Sequence, residues 1–243
     1  QKTPALGLFG WCLYDWANSA FPTVITTFVF SAYFTEAIAT DKITGTSQWG
    51  YAISLSGLAV ALLSPFFGAV ADHGGRRKPW LFVFTILCIG ASALLWLAQP
   101  DAGFVVMALT LAALANFAFE MGMVFYNAML PDLVGRDRIG RLSGWGWGLG
   151  YAGGLACLAL TLVAFVQTES PVFGLDKDSA EHLRATGPLV AVWMAVFAVP
   201  LFLWTPDTPS RGLGLKEAFR RGRETLIDTL RRVRDYAHIV RYL

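Results

Sequence analysis

Only 15% of the 243 residues are charged and 55% are apolar, whereas a soluble domain carries about a quarter charged residues. The deficit is concentrated in long uninterrupted runs, which excludes an ordinary water-soluble globule. The net charge of +2 says little by itself; where the cations lie says more.

The chain starts at Gln1, five residues before the first apolar run, and stops at Arg241-Tyr242-Leu243 inside a rising apolar segment. The expectation is a piece cut at both ends, without a cleavable signal peptide. The first span is expected from Leu6 to Ala39, bent where Pro22 removes a backbone donor. Its charges are Asp15 and Glu36; Glu36 reaches water at the far end, and Asp15 does not. A polar connection, Thr40 to Gln48, leads to a second span from Trp49 to Ala71. A third runs from Trp80 to Ala98. Each has the ~20 apolar residues that cross a bilayer as a helix. The tight turn between them carries Asp72, Gly75, Arg76, Arg77 and Lys78, so the pair reads as a helical hairpin with a basic cytoplasmic tip.

After the turn Gln99–Ala102, the fourth span is predicted from Gly103 to Met129, with Asn116 and Glu120 inside it. A basic loop from Pro131 to Arg141 precedes the fifth span, Ser143 to Phe165, rich in glycine and tryptophan at its start. A polar loop, Gln167 to Arg184, leads to the sixth, Pro188 to Trp204. From Leu215 to Val240 apolar residues recur at helical spacing, and eight cations against four acids lie between Lys216 and Arg241, which predicts an amphipathic helix on the inner membrane surface. A basic stripe also suits nucleic acid, but beside six spans no nucleic-acid partner is expected.

Counting alternate connections together puts 16 Lys and Arg on one side and 3, namely Lys42, Lys177 and Arg184, on the other. This asymmetry places both ends in the cytoplasm. Six spans so joined make a three-plus-three arrangement of the kind transporters nest within each half. The sequence trace of it is one mid-membrane acid in each of the first and fourth spans.

The pattern Gly68-x-x-x-Asp72-x-x-Gly75-Arg76-Arg77-Lys78 resembles the signature between the second and third helices of major facilitator transporters. Tyr14-Asp15-Trp16-Ala17-Asn18-Ser19-Ala20-Phe21, Phe125-Tyr126-Asn127-Ala128-Met129-Leu130-Pro131-Asp132 and Ser143-Gly144-Trp145-Gly146-Trp147-Gly148-Leu149-Gly150-Tyr151 look like its vacuole-effluxer family. That family includes autophagy-related amino-acid exporters of fungal vacuoles and many bacterial relatives. The resemblance covers the first half of a member. It implies an all-α membrane protein: a six-transmembrane-helix bundle, residues 1–205, forming the N-terminal lobe of a major facilitator fold. Residues 206–243 would be a cytoplasmic linker with a basic amphipathic helix and room for the start of a seventh span. The implied partners are the bilayer, a small-molecule substrate with or without protons, and a missing C-terminal lobe. The implied location is the bacterial inner membrane.

Asp15, Asn18, Ser19, Pro22 and Thr26 share one helix face. A mid-span acid costs a few kcal/mol, so it belongs in a bundle interior or wet cavity. Cavity lining and helix–helix hydrogen bonding both remain open for this stripe. Asn116, Glu120 and Asn127 share a face of the fourth span. Asp15 and Glu120 each lie nine residues from the cytoplasmic end of their span, roughly 14 Å deep. Two acids at matched depth suit a shared proton, a cation or an ammonium group; separate hydrogen bonding is the alternative. Trp147 and Tyr151 are candidate aromatic walls. The glycines Gly146, Gly150, Gly153 and Gly154, and the set Gly57, Ala61, Pro65 and Gly68, read as close-packing faces. The resemblance makes Gly68, Asp72, Gly75, Arg76 and Arg77 a gating turn facing the other lobe. Independently of it, Asp132 or Asp137 in the next basic loop is a candidate partner for Arg76 or Arg77.

No span carries a nucleophile–base pair or metal-ligand set, and no phosphate-cradling loop is present. Cys12, Cys88 and Cys157 lie inside apolar runs and read as small buried residues. His73, His182 and His238 are scattered, so no metal or cofactor is expected. The chain therefore reads as part of a secondary transporter for a small solute, amino acids among the candidates, and not an enzyme. A six-span channel or scaffold complete in itself is the alternative.

Overall fold

The computed structural model describes residues 3–209 together with Glu217, Arg220, Arg223, Glu224 and Ile227; of residues 71–74 it describes the backbone alone. The predicted tail helix and any seventh span lie largely outside these residues, although the five described tail residues that fall within it include a helical ion-pair ladder, Arg220 with Glu217 and Glu224.

Six helices are long and apolar enough to cross a membrane: α1 (Ala5–Ile38), α2 (Lys42–Gly74), α3 (Lys78–Leu97), α4 (Ala102–Leu133), α5 (Ile139–Val166) and α6 (Glu181–Trp204). The described residues contain no strand. In a bilayer every backbone group must be satisfied internally, and an all-helical bundle does so. The chain is thus a multi-pass integral membrane protein.

Several connections are shorter than the sequence suggests. Only Ala39 to Asp41 separates α1 from α2, because Asp41 Oδ1 accepts from the N–H groups of Ile43 and Thr44, each at 3.0 Å, and starts the helix seven residues early. Those bonds, Thr44 first, hold the Asp41 carboxyl below the usual carboxylate range. The helix α4 continues through Pro131 to Leu133, which shrinks the expected loop to a turn before Ile139. Arg184 belongs to α6 and not to the loop. It is buried, donates from Nε to the carbonyl of Trp96 at 2.7 Å and stacks on that indole at 4.7 Å.

At Pro22 the helix changes form. The helix widens into π-helical turns over Phe21–Phe28, with Val29 N–H bonding the carbonyl of Val24. The hydroxyl of Thr23 donates to the carbonyl of Ser19 at 2.7 Å, beside the site of the missing donor.

The packing has an internal order. α1 packs against α5 and α6, α4 packs against α2 and α3, and α3 meets α6. Exchanging α1 with α4, α2 with α5 and α3 with α6 maps this pattern onto itself, which is the arrangement of two three-helix repeats. The two central helices also touch. Tyr126 of α4 stacks between Trp11 at 4.3 Å and Tyr14 at 5.2 Å, both on α1.

Glycine makes the seams. Gly146, Gly150, Gly153 and Gly154 of α5 are buried against α1. A Cβ on Gly150 would stand 2.8 Å from Ser19 Oγ and 3.1 Å from Asp15 Cγ, and one on Gly146 would stand 2.9 Å from the Trp11 ring. On the opposite side of α1, a Cβ on Gly10 would meet the Pro200 carbonyl at 2.7 Å. Among the described residues nothing packs on Gly57 or Gly68 of the expected α2 seam: a Cβ on either would meet nothing within 4 Å, and α2 is the least buried of the six. Cys12, Cys88 and Cys157 are free and buried, as expected.

Two measurements check this arrangement. Gly150→Ala overpacks the α1–α5 seam and should cost about 1–3 kcal/mol, whereas Gly57→Ala should be neutral or stabilising by up to ~1 kcal/mol. Melting temperatures in detergent that fell equally for both would refute the seam. For topology, a thiol probe should reach Asp178→Cys from outside and Asp137→Cys only from the cytoplasm. The buried native cysteines keep the background low, and the reverse pattern would invert the assignment.

Candidate functional site

The π-helical stretch and the glycine face of α5 together open a recess of about 310 Å³ between α1, α4 and α5. Asp15, Asn18, Ser19 and Pro22 line it from α1, Phe119 and Met123 from α4, and Trp147 and Tyr151 from α5. Asp15 is 6% exposed and Asn18 2%. The Asp15 carboxyl is pressed onto the glycine backbone of α5, because no side chain stands at Gly146 or Gly150 to cover it. Asn18 donates from Nδ2 to Met123 Sδ at 2.9 Å, while its Oδ1 is buried without a hydrogen-bond partner. A buried orphan acceptor costs about 1–3 kcal/mol, which a bound donor would relieve. Trp147 and Tyr151 stand at the rim, exposed, with ring centroids 5.9 Å apart.

A second recess, about 450 Å³, adjoins it between α1, α2 and α4. Its lining includes Thr26, Gly57, Asn116 and Glu120, and it shares Pro22, Thr27 and Phe119 with the first. Asn116 donates to Ser56 Oγ at 2.8 Å, so it ties α4 to α2. Glu120 is exposed. The hydroxyl of Thr26 is buried and lacks a partner, like Asn18 Oδ1. Neither lining contains a lysine or arginine.

The six candidate pathway residues therefore fall into two adjoining recesses. Asp15, Asn18, Trp147 and Tyr151 line one, and Asn116 and Glu120 the other. Phe119 borders both and stands next to Glu120 in the chain. The sequence reading passed over Phe119 and Met123, whose only signal was helical spacing beside Asn116 and Glu120.

The turn after α2 is narrower than expected. Gly68 lies well inside the helix, and the Asp72 side chain is outside the described set. Gly75 has φ 82°, the left-handed conformation that ends a helix and favours glycine. Arg76 is exposed. Arg77 pairs with Asp132 at the end of α4 and donates to Thr208 Oγ1 at 3.0 Å. Asp207 caps α3 from a distance, accepting the N–H groups of Arg77 at 3.0 Å and Lys78 at 3.2 Å. Lys78 Nζ closes the end of α6 by donating to the carbonyls of Phe202 and Thr205. The turn is thus bolted to both α4 and the segment after α6. Asp207 was missed; its signal was an acid between two prolines directly after a span.

The vacuole effluxer Atg22 like family profile matches residues 33–243. Asp15 and Asn18 precede that stretch. The chain is 28% identical over 194 residues to an uncharacterized MFS-type transporter, YxiO, of Bacillus subtilis (strain 168), a match covering 79% of this chain and 44% of that protein. It is 34% identical over 87 residues to autophagy-related protein 22 of Coccidioides immitis (strain RS), covering 36% of this chain and 14% of that protein. The chain thus spans less than half the length of the curated relatives it matches. No solved structure matches it.

Removing Asp207 tests the turn. Asp207→Ala loses three charge-assisted hydrogen bonds, two to the turn and one from Thr208 N–H, and should cost ~2 kcal/mol or more, with faster thiol labelling of Arg76→Cys in the same background. Unchanged labelling and melting would show that the turn holds without its cap.

Proposed function

The chain belongs to the vacuole effluxer Atg22 like family, and we propose that it is the N-terminal lobe of a secondary active transporter. It moves a small solute across a bacterial plasma membrane by alternating access. The observation that carries this reading is the recess in which a buried acid, Asp15, lies beside the orphaned acceptor of Asn18. Magnitudes favour use over packing. An intramembrane hydrogen bond averages ~0.6 kcal/mol, whereas an Asp at the centre of a span costs about 2.5–3.5 kcal/mol. Holding α1 to its neighbours does not account for that cost.

The lining favours a particular chemistry. Two acids, two orphaned oxygens and two rim aromatics meet no cation, which suits an ammonium-bearing solute. The carboxylates would take the ammonium, Trp147 and Tyr151 would offer ring faces to it, and Asn18 would accept a further donor. Amino acids fit this description, with a proton on Asp15 or Glu120 as coupling ion. The C-terminal lobe would supply the group for the solute carboxylate. In the same reading the turn at Asp72, Gly75, Arg76 and Arg77 gates the cytoplasmic side against that lobe, on the rigid base formed by Asp132 and Asp207.

The test uses the full-length protein in proteoliposomes with labelled amino acids. Asp15→Asn and Glu120→Gln should each abolish the pH dependence of counterflow with folding intact if they carry the proton. If they bind only the ammonium group, affinity falls about tenfold or more and pH dependence persists. Normal transport by both variants at every pH would place the site elsewhere.

A further inference from the structure

A separate cavity of about 410 Å³ lies on the opposite flank of the α1–α5 seam from the acid-lined recess. Leu8, Phe9 and Cys12 of α1 form one wall; Leu142, Trp145 and Leu149 of α5 form the other. Arg138 and Arg141 stand at its mouth. We propose that this slot binds one anionic phospholipid of the cytoplasmic leaflet, its phosphate on Arg138 and Arg141 and an acyl chain along the α1–α5 groove.

Shape, charge and depth each support this occupant. Between the α1 and α5 walls the slot offers apolar side chains, and its only cations are the two arginines at one end. That polarity matches an amphiphile and not a free ion or a polar solute. Arg138 makes one loose pair, 3.9 Å from Asp137, whose carboxylate is itself 80% exposed. Arg141 has no ion pair among the described residues. The first turn of α5 contains no acid and its cap residue makes no cap hydrogen bond, so the helix end adds charge of the same sign.

The slot also has the depth of a single leaflet. Arg138 and Leu149 are eleven residues apart, or about 16 Å of helix, against half of a ~30 Å hydrocarbon core. Trp145, 63% exposed, lies one turn inward from Arg141, at the level where indole rings favour the headgroup boundary. Phe9, 50% exposed, faces it across the groove. The chain's own tail is a poor rival occupant, since residues 216–241 carry twice as many cations as acids.

Native mass spectrometry of the full-length protein, delipidated in detergent and titrated with phosphatidylglycerol or phosphatidylcholine of identical chains, tests the site. Phosphatidylglycerol should bind in preference, and Arg138→Ala with Arg141→Ala should weaken it about thirtyfold, roughly fivefold per arginine. Leu149→Trp, which fills the groove and spares the arginines, should also displace it, with Leu8→Trp as a second filler if the first does not fold. A photoactivatable phosphatidylglycerol should label residues 5–18 and 139–150. Equal binding of the two lipids, wild-type affinity in the double arginine variant, or labelling confined to the tail would overturn the proposal. So would displacement of the lipid by millimolar inorganic phosphate, which would mark a plain anion site.

Discussion

The seam between α1 and the glycine face of α5 sets the geometry on which the rest depends. Lipid offers no hydrophobic force to push helices together, so close packing has to do it. Gly146, Gly150, Gly153 and Gly154 let α1 approach until side chains of α1 rest on the backbone of α5. Two consequences follow from one contact. On one flank the approach fixes Asp15 and Asn18 beside Trp147 and Tyr151. On the other it leaves an apolar groove ending in Arg138 and Arg141. Any side chain larger than hydrogen at Gly150 would disturb the α1 wall of the acid-lined recess.

α1 is squeezed from both sides, because Gly7 and Gly10 give α6 the same close approach. A helix so tightly held would be rigid, yet its middle is π-helical from Phe21 to Phe28. The wider turns interrupt the regular ladder where Pro22 and Thr27 meet both recesses. The last turns of α1, Phe34–Ile38, are π-helical as well. The first half of α1 is held further by the aromatic stack of Trp11, Tyr126 and Tyr14, and the turn after α2 by Asp132 and Asp207.

Much of this was legible in the sequence. Long apolar runs dictate six helices, and the glycine spacing on α5 dictates its packing face, because both signals are local and periodic. The polar stripe of α1 was readable for the same reason. What escaped was tertiary. Asp207 caps a helix more than a hundred residues away, and no local pattern reports its partners. Gly57 and Gly68 share a face as regularly as the α5 glycines, yet only contact with a second helix turns such a face into a seam, and within this lobe α2 has none there. Asp41 lengthened α2 because a single cap outweighed the polar composition of the first two turns. Arg184 looked like a loop cation because the indole of Trp96 that shelters it lies far off in the chain.

The two acids are not equivalent, and the expected equal spacing from the helix ends is not kept: Asp15 lies ten residues from Ala5, whereas α4 continues to Leu133, thirteen residues past Glu120. Asp15 is buried against glycine backbone, whereas Glu120 is exposed in the adjoining recess. Exchange of the repeats carries α1 onto α4, so the two acids stand on corresponding helices. The surroundings break that symmetry: α5 presents glycines to α1, but α2 presents Ile53, Val60 and Ala61 around Glu120. One of the two corresponding helices thus has its acid enclosed against backbone, and the other leaves its acid open to the recess.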